Sequence, residues 1–187
     1  MPCNTLRLVV AFPTVNPRER VARTMWATLA PGTAGTVQTV TVMRRLVEQG
    51  GSDVEIRRLA FELLSGCPPT LDARLSRLFR YAADRVRFVR DPKGTELLQG
   101  AWVTARRLQG DCDDKSILLA SLIRAARLPV SLAFRVIGAD RRRPDRFTHV
   151  YVVARAHGRC IALDPTRYGT PFGWQFPRPT ITREFAI

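Results

Sequence analysis

Histidine is scarce in this chain of 187 residues, which has only His149 and His157. Its four cysteines, Cys3, Cys67, Cys112 and Cys160, form no C-x-x-C pair, so the closely spaced ligands of a structural zinc site are missing. No apolar run approaches the roughly 20 residues that cross a bilayer, which argues against a membrane partner. The short "LRLVVAF" near the start lacks a basic leader and runs into Pro13 rather than a small-residue cleavage site, so it reads as a strand. With no export signal, reduced thiols and a cytoplasmic location are expected. Lysine is nearly absent as well. Lys93 and Lys115 are the only two among thirty basic residues, and the net charge of +14 is carried by arginine. There is no internal repeat and no low-complexity tract.

What is present describes an ordinary globular protein, 45% hydrophobic and 25% charged, of a length that suits one domain. The excess of base admits nucleic acid, an anionic cell wall or an acidic protein as partners. Apart from "DRRRPDR" at 140–146 the bases are scattered, and no nucleic-acid motif accompanies them. A solvated basic surface is the expected reading, with nucleic acid a partner that no motif supports.

Residues 1–36 carry Pro2, Pro13, Pro17 and Pro31 and read as an extended arm with one edge strand around Leu6–Phe12; residues 37–187 form the domain. "TVQTVTVMRRLVEQGG" alternates like a strand and turns helical from about Val42. "SDVE" at 52–55 is a capping box, and Ile56, Leu59, Ala60, Leu63 and Leu64 trace one helical face behind it. A further helix is expected from about Leu71 to Val86, and a short one over about Ala101–Leu108. After Gly110 comes a clear helix that stops before Pro129, followed by the strand-like runs "VSLAFRVIG", "FTHVYVVAR" and "RCIALD". Helices first and an antiparallel sheet afterwards indicate an α+β fold.

One cysteine stands out. In "LQGDCDDKSILLASLIRAA", Asp111 is a good N-cap, which puts Cys112 on the first turn of the helix. Unpaired N–H groups and the macrodipole favour a thiolate there. The effect is about 0.3–1 kcal/mol, under one pKa unit, and cannot overcome Asp111, Asp113 and Asp114. An imidazolium has to do most of the work, pairing with Cys112 as thiolate–imidazolium.

His149 is the candidate. If His157–Gly158 is a two-residue turn in "AHGR", Ala156 faces Arg159 and, counting back, Tyr151 faces Asp164. His149 then shares a sheet face with Asp164, diagonal to it and within reach. A loop one residue longer or shorter would part them. Thiol, imidazole and carboxylate in this order are the layout for acyl transfer through a thioester. Asp113 and Asp114 are assigned mainly to the helix start. Cys160 is the rival nucleophile, mid-strand and without a helix dipole, and reads as structural, like Cys3 and Cys67. His157 is explained by its turn.

"GDCDDKSILLASLIRAARLPV", "FTHVYVVA" and "LDPT" resemble the three motifs of the transglutaminase-like superfamily, a branch of the papain-like cysteine enzymes. The resemblance covers about residues 70–170 and is strongest over 108–166. It implies helices packed on an antiparallel sheet with the nucleophilic cysteine at a helix N-terminus. Cys112, His149 and Asp164 fall on its nucleophile, base and orienter positions. The upstream oxyanion side chain has no clean counterpart: Gln99, Trp102 and Gln109 compete, and Gln99 ranks first because it follows the turn in "DPKGTELLQ". One donor would be the Cys112 backbone N–H in any case.

The resemblance implies a cysteine acyl-transfer enzyme acting on protein, peptide or peptidoglycan amides. No cofactor or metal is expected, and hydrolysis is favoured over amine transfer. The version with "GDCDD" and "THVYV" is similar to proteins of bacteria and tailed phages. The alternative is therefore a phage or prophage virion or assembly protein that keeps the fold and docks through its arm.

Overall fold

The computed structural model describes residues 6–13 and 22–187; Cys3 and Pro17 lie outside them. In chain order the elements are β1 (Arg7–Pro13), β2 (Ala22–Thr28), α1 (Gly32–Ser52), α2 (Val54–Leu64) and α3 (Leu71–Arg80), the last running into a π-helical turn at Tyr81–Arg85. There follow β3 (Arg87–Phe88), β4 (Thr95–Gln99), α4 (Ala101–Arg107), β5 (Gln109–Gly110) and α5 (Cys112–Ala125). The chain finishes with β6 (Ser131–Ile137), β7 (His149–Ala156), β8 (Arg159–Leu163) and β9 (Thr182–Ala186). The fold is mixed α+β. No helix among the described residues is long and apolar enough to cross a membrane.

The centre of the molecule is α5, buried at every position from Asp113 to Ile123. "SILLASLI" has no polar face to give to water, and a helix apolar all round is stable only when enclosed. Helix α1 covers one side with Val40, Met43, Leu46 and Val47; Val150, Val152 and Ala154 of β7 cover another. The sheet behind β7 has the order β8-β7-β6-β9 and is antiparallel throughout. A second sheet, β2-β1-β4, pairs β1 antiparallel with β2 and parallel with β4.

Several expectations change. The strand-like alternation of 36–42 is helical from Gly32 onward. Its buried residues, Gly35, Thr39, Val40, Met43, Leu46, Val47 and Gly50, follow a three-to-four spacing, and packing against α5 overrides the β-branched preference. Ser52 does not cap α2. It closes α1 and bonds back to the Glu48 carbonyl, while the Asp53 carboxylate accepts from the N–H groups of Glu55 and Ile56.

The described part of segment 1–36 is no free arm with an edge strand. Strand β1 lies between β2 and β4, with Leu8 and Ala11 buried. Strand β4, which follows the turn expected in "DPKG" and was given no element, and β9, not foreseen, both exist because they have partners distant in sequence.

Close packing gives a stability test. A Cβ on Gly50 would meet Ser121 Cβ at 2.7 Å and Ala101 Cβ at 3.0 Å, whereas one on Gly51 meets only the flexible Arg124 side chain. Alanine favours a helix by about 1 kcal/mol over glycine, and overpacking costs about 1–3 kcal/mol. Urea denaturation is expected to show Gly50→Ala destabilised and Gly51→Ala neutral or stabilised. Equal effects at the two positions would contradict the packing of α1 on α5.

Candidate active site

The N-terminus of α5 is set locally. The Asp111 carboxylate accepts from the N–H of Asp113 (3.0 Å) and of Asp114 (3.4 Å), so Cys112 is the first helical residue. Gly110 has to be glycine for a steric reason, since a Cβ there would lie 2.5 Å from Asp114 Cβ.

The strand partners are set by a turn. His157 (φ 51) and Gly158 (φ 72) both take the left-handed conformation of a two-residue hairpin, and Ala156 pairs with Arg159. Positions 156, 154 and 152 are then the hydrogen-bonded ones, and the ladder ends at Val152–Leu163. The next such pair would be Val150 with Pro165, which has no N–H to donate. The first turn of α5 takes that place. Ser116 Oγ donates to the Val150 carbonyl (3.4 Å), and the Cys112 thiol, which donates to Asp113 Oδ1 (3.7 Å), lies where the Val150 N–H favours its thiolate form. The thiol is thereby held at the edge of the sheet, beside the residue that follows His149.

His149 opens β7, and its Nε2 lies 2.7 Å from Asp164 Oδ2. The His149 ring also lies against that of Tyr151, their centroids 5.9 Å apart. Asp164, 2% exposed, follows β8 and also accepts from the Thr166 N–H (3.1 Å). Burial would raise its carboxyl, but the hydrogen bond and charge of His149, with Thr166, hold it below the usual range. Buried Lys115 shares this region. Its Nζ donates to the carbonyls of Ala83 (3.2 Å) and Val86 (2.8 Å). Burial lowers its pKa to about 8, against the opposing charges of Asp164 and Asp84.

The thiol itself is not primed. Burial first, then the charges of Asp113 and Asp111, push its pKa well above the ordinary value, while the Val150 N–H pulls it down. These surroundings favour the neutral thiol over the thiolate of an ion pair. Around it the acids are crowded: Asp91 is raised by burial to about 6 and Asp111 to about 7, and Asp113 and Asp114 go well above their usual value for the same reason.

Gln99 occupies a different role from the oxyanion donor expected of it. Its Nε2 donates to Asp114 Oδ2 (2.5 Å) and to the Gln109 carbonyl (3.1 Å), and its backbone N–H donates to Asp114 Oδ1 (2.7 Å). Its oxygen accepts from Arg107 (3.3 Å). The buried carboxamide is fully committed to joining β4 to α5. Gln109 accepts from Arg87 through Oε1 (3.2 Å), and Trp102 is half-buried with the Arg106 guanidinium 5.8 Å from its ring.

Asp114 is therefore more than a helix-start residue, and the parts played by Asp114, Lys115 and Ser116 escaped the reading of the sequence. Their signal was a polar "DDKS" at the head of an otherwise apolar helix. Cys160 is exposed on β8 beside Arg135 (3.6 Å), and Cys67 is half-buried and free. Among the described residues no three His, Cys, Asp or Glu side chains are grouped as a metal site.

Two pH experiments follow from these environments. Asp91 and Asp111 hold protons in the folded chain that the unfolded chain has released, between about pH 4 and 7. Stability is fully present below the unfolded carboxyl value and falls as pH rises through this window. Asp111→Asn keeps a cap of similar quality and is expected to flatten the fall in Tm between about pH 4.5 and 7.5. An unchanged slope would exclude Asp111 as a source. Alkylation of Cys112 by iodoacetamide is expected to slow about tenfold per pH unit from pH 8 to 6, as for an ordinary thiol. A rate that stays level would reveal a thiolate instead.

No family model matches this chain, and no curated protein matches it. Among solved structures it is similar to a candidate protease from Parabacteroides distasonis, with a TM-score of 0.56, 12% identity, and coverage of 94% of this chain and 33% of that one. It is also similar to a candidate cysteine protease from Cytophaga hutchinsonii, with a TM-score of 0.47, 21% identity, and coverage of 60% of this chain and 37% of that one. The chain thus spans about a third of the length of these proteins. The first likeness is one of fold, a mixed α+β architecture shared with the Parabacteroides protein.

Proposed function

We propose that the chain is a cysteine hydrolase of the peptidase type, built on a transglutaminase-like and papain-like core, with Cys112 as nucleophile, His149 as base and Asp164 as orienter. The observation that carries this is the 2.7 Å contact of His149 Nε2 with buried Asp164, beside the strand position where α5 docks its first turn. Asp164 occupies Nε2, which leaves Nδ1 for the thiol proton. A carboxylate on one ring nitrogen sets the tautomer and stabilises the imidazolium that forms.

Because the resting thiol is neutral, His149 acts as a general base during attack. It takes the proton as sulfur bonds to the amide carbon, and the Cys112 backbone N–H receives the charge that develops on oxygen. The imidazolium then protonates the departing amine as the C–N bond breaks, leaving a thioester. A water molecule deprotonated by His149 attacks this ester, releases the acid and restores the thiol. The steps use no metal or cofactor.

A particle-bound role would draw on a free N-terminal arm. Strand β1 is built into a sheet instead, so only the basic surface favours that reading.

The test is release of amine from Gln-containing peptides and peptidoglycan fragments, with and without an added primary amine. Free acid alone is hydrolysis; incorporation of the amine is transfer. Cys112→Ala is expected to abolish turnover, and Asp164→Asn to lower kcat by about 10²–10⁴ with the fold retained by circular dichroism. Full activity in either variant would remove the residue from the mechanism.

A further inference from the structure

The end of the antiparallel sheet where His149 and Asp164 meet also carries a concentration of unpaired positive charge. Strand β6 ends at Ile137, opposite His149 on one side and Thr182 on the other, so the loops 138–148 and 164–181 leave from this same end. They are stitched at the base, where the Gly138 N–H donates to Ile181 O and the Thr180 N–H to Gly138 O, both at 2.9 Å. A Cβ on Gly138 would lie 2.3 Å from Thr180 Oγ1, so only glycine allows this approach.

Residues 138–148 and 164–181 together hold six arginines against three aspartates, one of them Asp164 of the site. Asp140 takes Arg143 at 2.9 Å, and Arg167 lies over Trp174. Arg141, Arg142, Arg146 and Arg178 are exposed, and no ion pair engages them among the described residues.

We propose that these two loops form a docking surface for an acidic stretch of a polypeptide substrate, with the acidic residues on one side of the bond to be cut. The inference rests on the reading of the site as a peptidase. It follows from the charge and the place of the loops: carboxylates docked there meet free guanidiniums at the end of the sheet that holds His149 and Asp164. A nucleic acid would also look for stacking platforms, and these are few: Phe172 and Phe176 pack inward and Trp174 sits under Arg167 and against Phe176, leaving Tyr168 as the one aromatic standing free on the described part of these loops.

The test uses the full chain as Cys112→Ala, so that binding is read without turnover, by fluorescence anisotropy. The probes are a fluorescein-labelled peptide with a glutamate block followed by a neutral block, a wholly neutral peptide, and an oligothymidylate of the same charge as the first. The acidic peptide is expected to bind and to weaken at least about tenfold when salt rises from about 0.05 to about 0.3 M. Arg141→Ser, Arg142→Ser and Arg146→Ser together are expected to weaken it by about tenfold or more. Arg44→Ser, Arg45→Ser and Arg57→Ser, an equal change of charge on exposed positions of α1 and α2, are expected to change it less than about twofold. Equal losses from the two triple variants, or tighter binding of the oligothymidylate than of the peptide, would overturn the proposal. Binding without any hydrolysis by the native chain would overturn the peptidase reading and leave the docking surface standing.

Discussion

Everything around the candidate site follows from enclosing a helix whose first turn is polar. Once α5 is buried on all sides, the carboxylate of Asp114, the ammonium of Lys115 and the hydroxyl of Ser116 have no water to turn to. Each must find a protein partner or lose stability of the order of 1–3 kcal/mol, more for a charge. Asp114 takes both nitrogens of Gln99, Lys115 takes two carbonyls at the end of the π-helical turn, and Ser116 takes the carbonyl of Val150. These three attachments point in different directions. Together they tie β4, α3 and β7 to one turn of helix, and Cys112 is at its head.

The same enclosure governs the electrostatics. A cluster of carboxylates around a buried thiol favours protons on all of them, which is why the thiol rests neutral and why Asp91 and Asp111 titrate high. Asp164 escapes this tendency because a histidine lies against it. Two acidic groups in similarly buried surroundings are thus pushed in opposite directions by their neighbours, Asp164 down beside an imidazole and Asp114 up among other acids. Such a separation is what proton transfer needs.

The backbone contributes through a missing donor. Pro165 ends the β7–β8 ladder one pair early, and the gap at Val150 is the size of one helical turn's polar groups. Without that gap β8 would cover the Val150 N–H and C=O, and Ser116 would have to bond elsewhere. Proline at this position places Asp164 at the end of a strand, where its side chain can reach His149.

How much could be read beforehand depended on sequence distance. The helix start at Asp111–Cys112 is a contact between neighbours, and the pairing of β7 with β8 follows from a turn of two residues, so both were legible in the order of the amino acids. The partners of Asp114, Lys115 and Ser116 lie 15 to 34 residues away, and nothing local names them. The helical state of 32–42 belongs to the same class, since its β-branched residues favour a strand until α5 offers a surface for them to cover. So does β1, whose parallel partner β4 is the better part of a hundred residues on. By itself the sequence determined which groups sit at the head of α5 and on the facing strand, because capping, turn conformation and strand alternation act over a few residues. Only the tertiary structure decided which of those groups hold protons and which carboxamide is already engaged, because both depend on burial, and burial is a property of the whole packed chain.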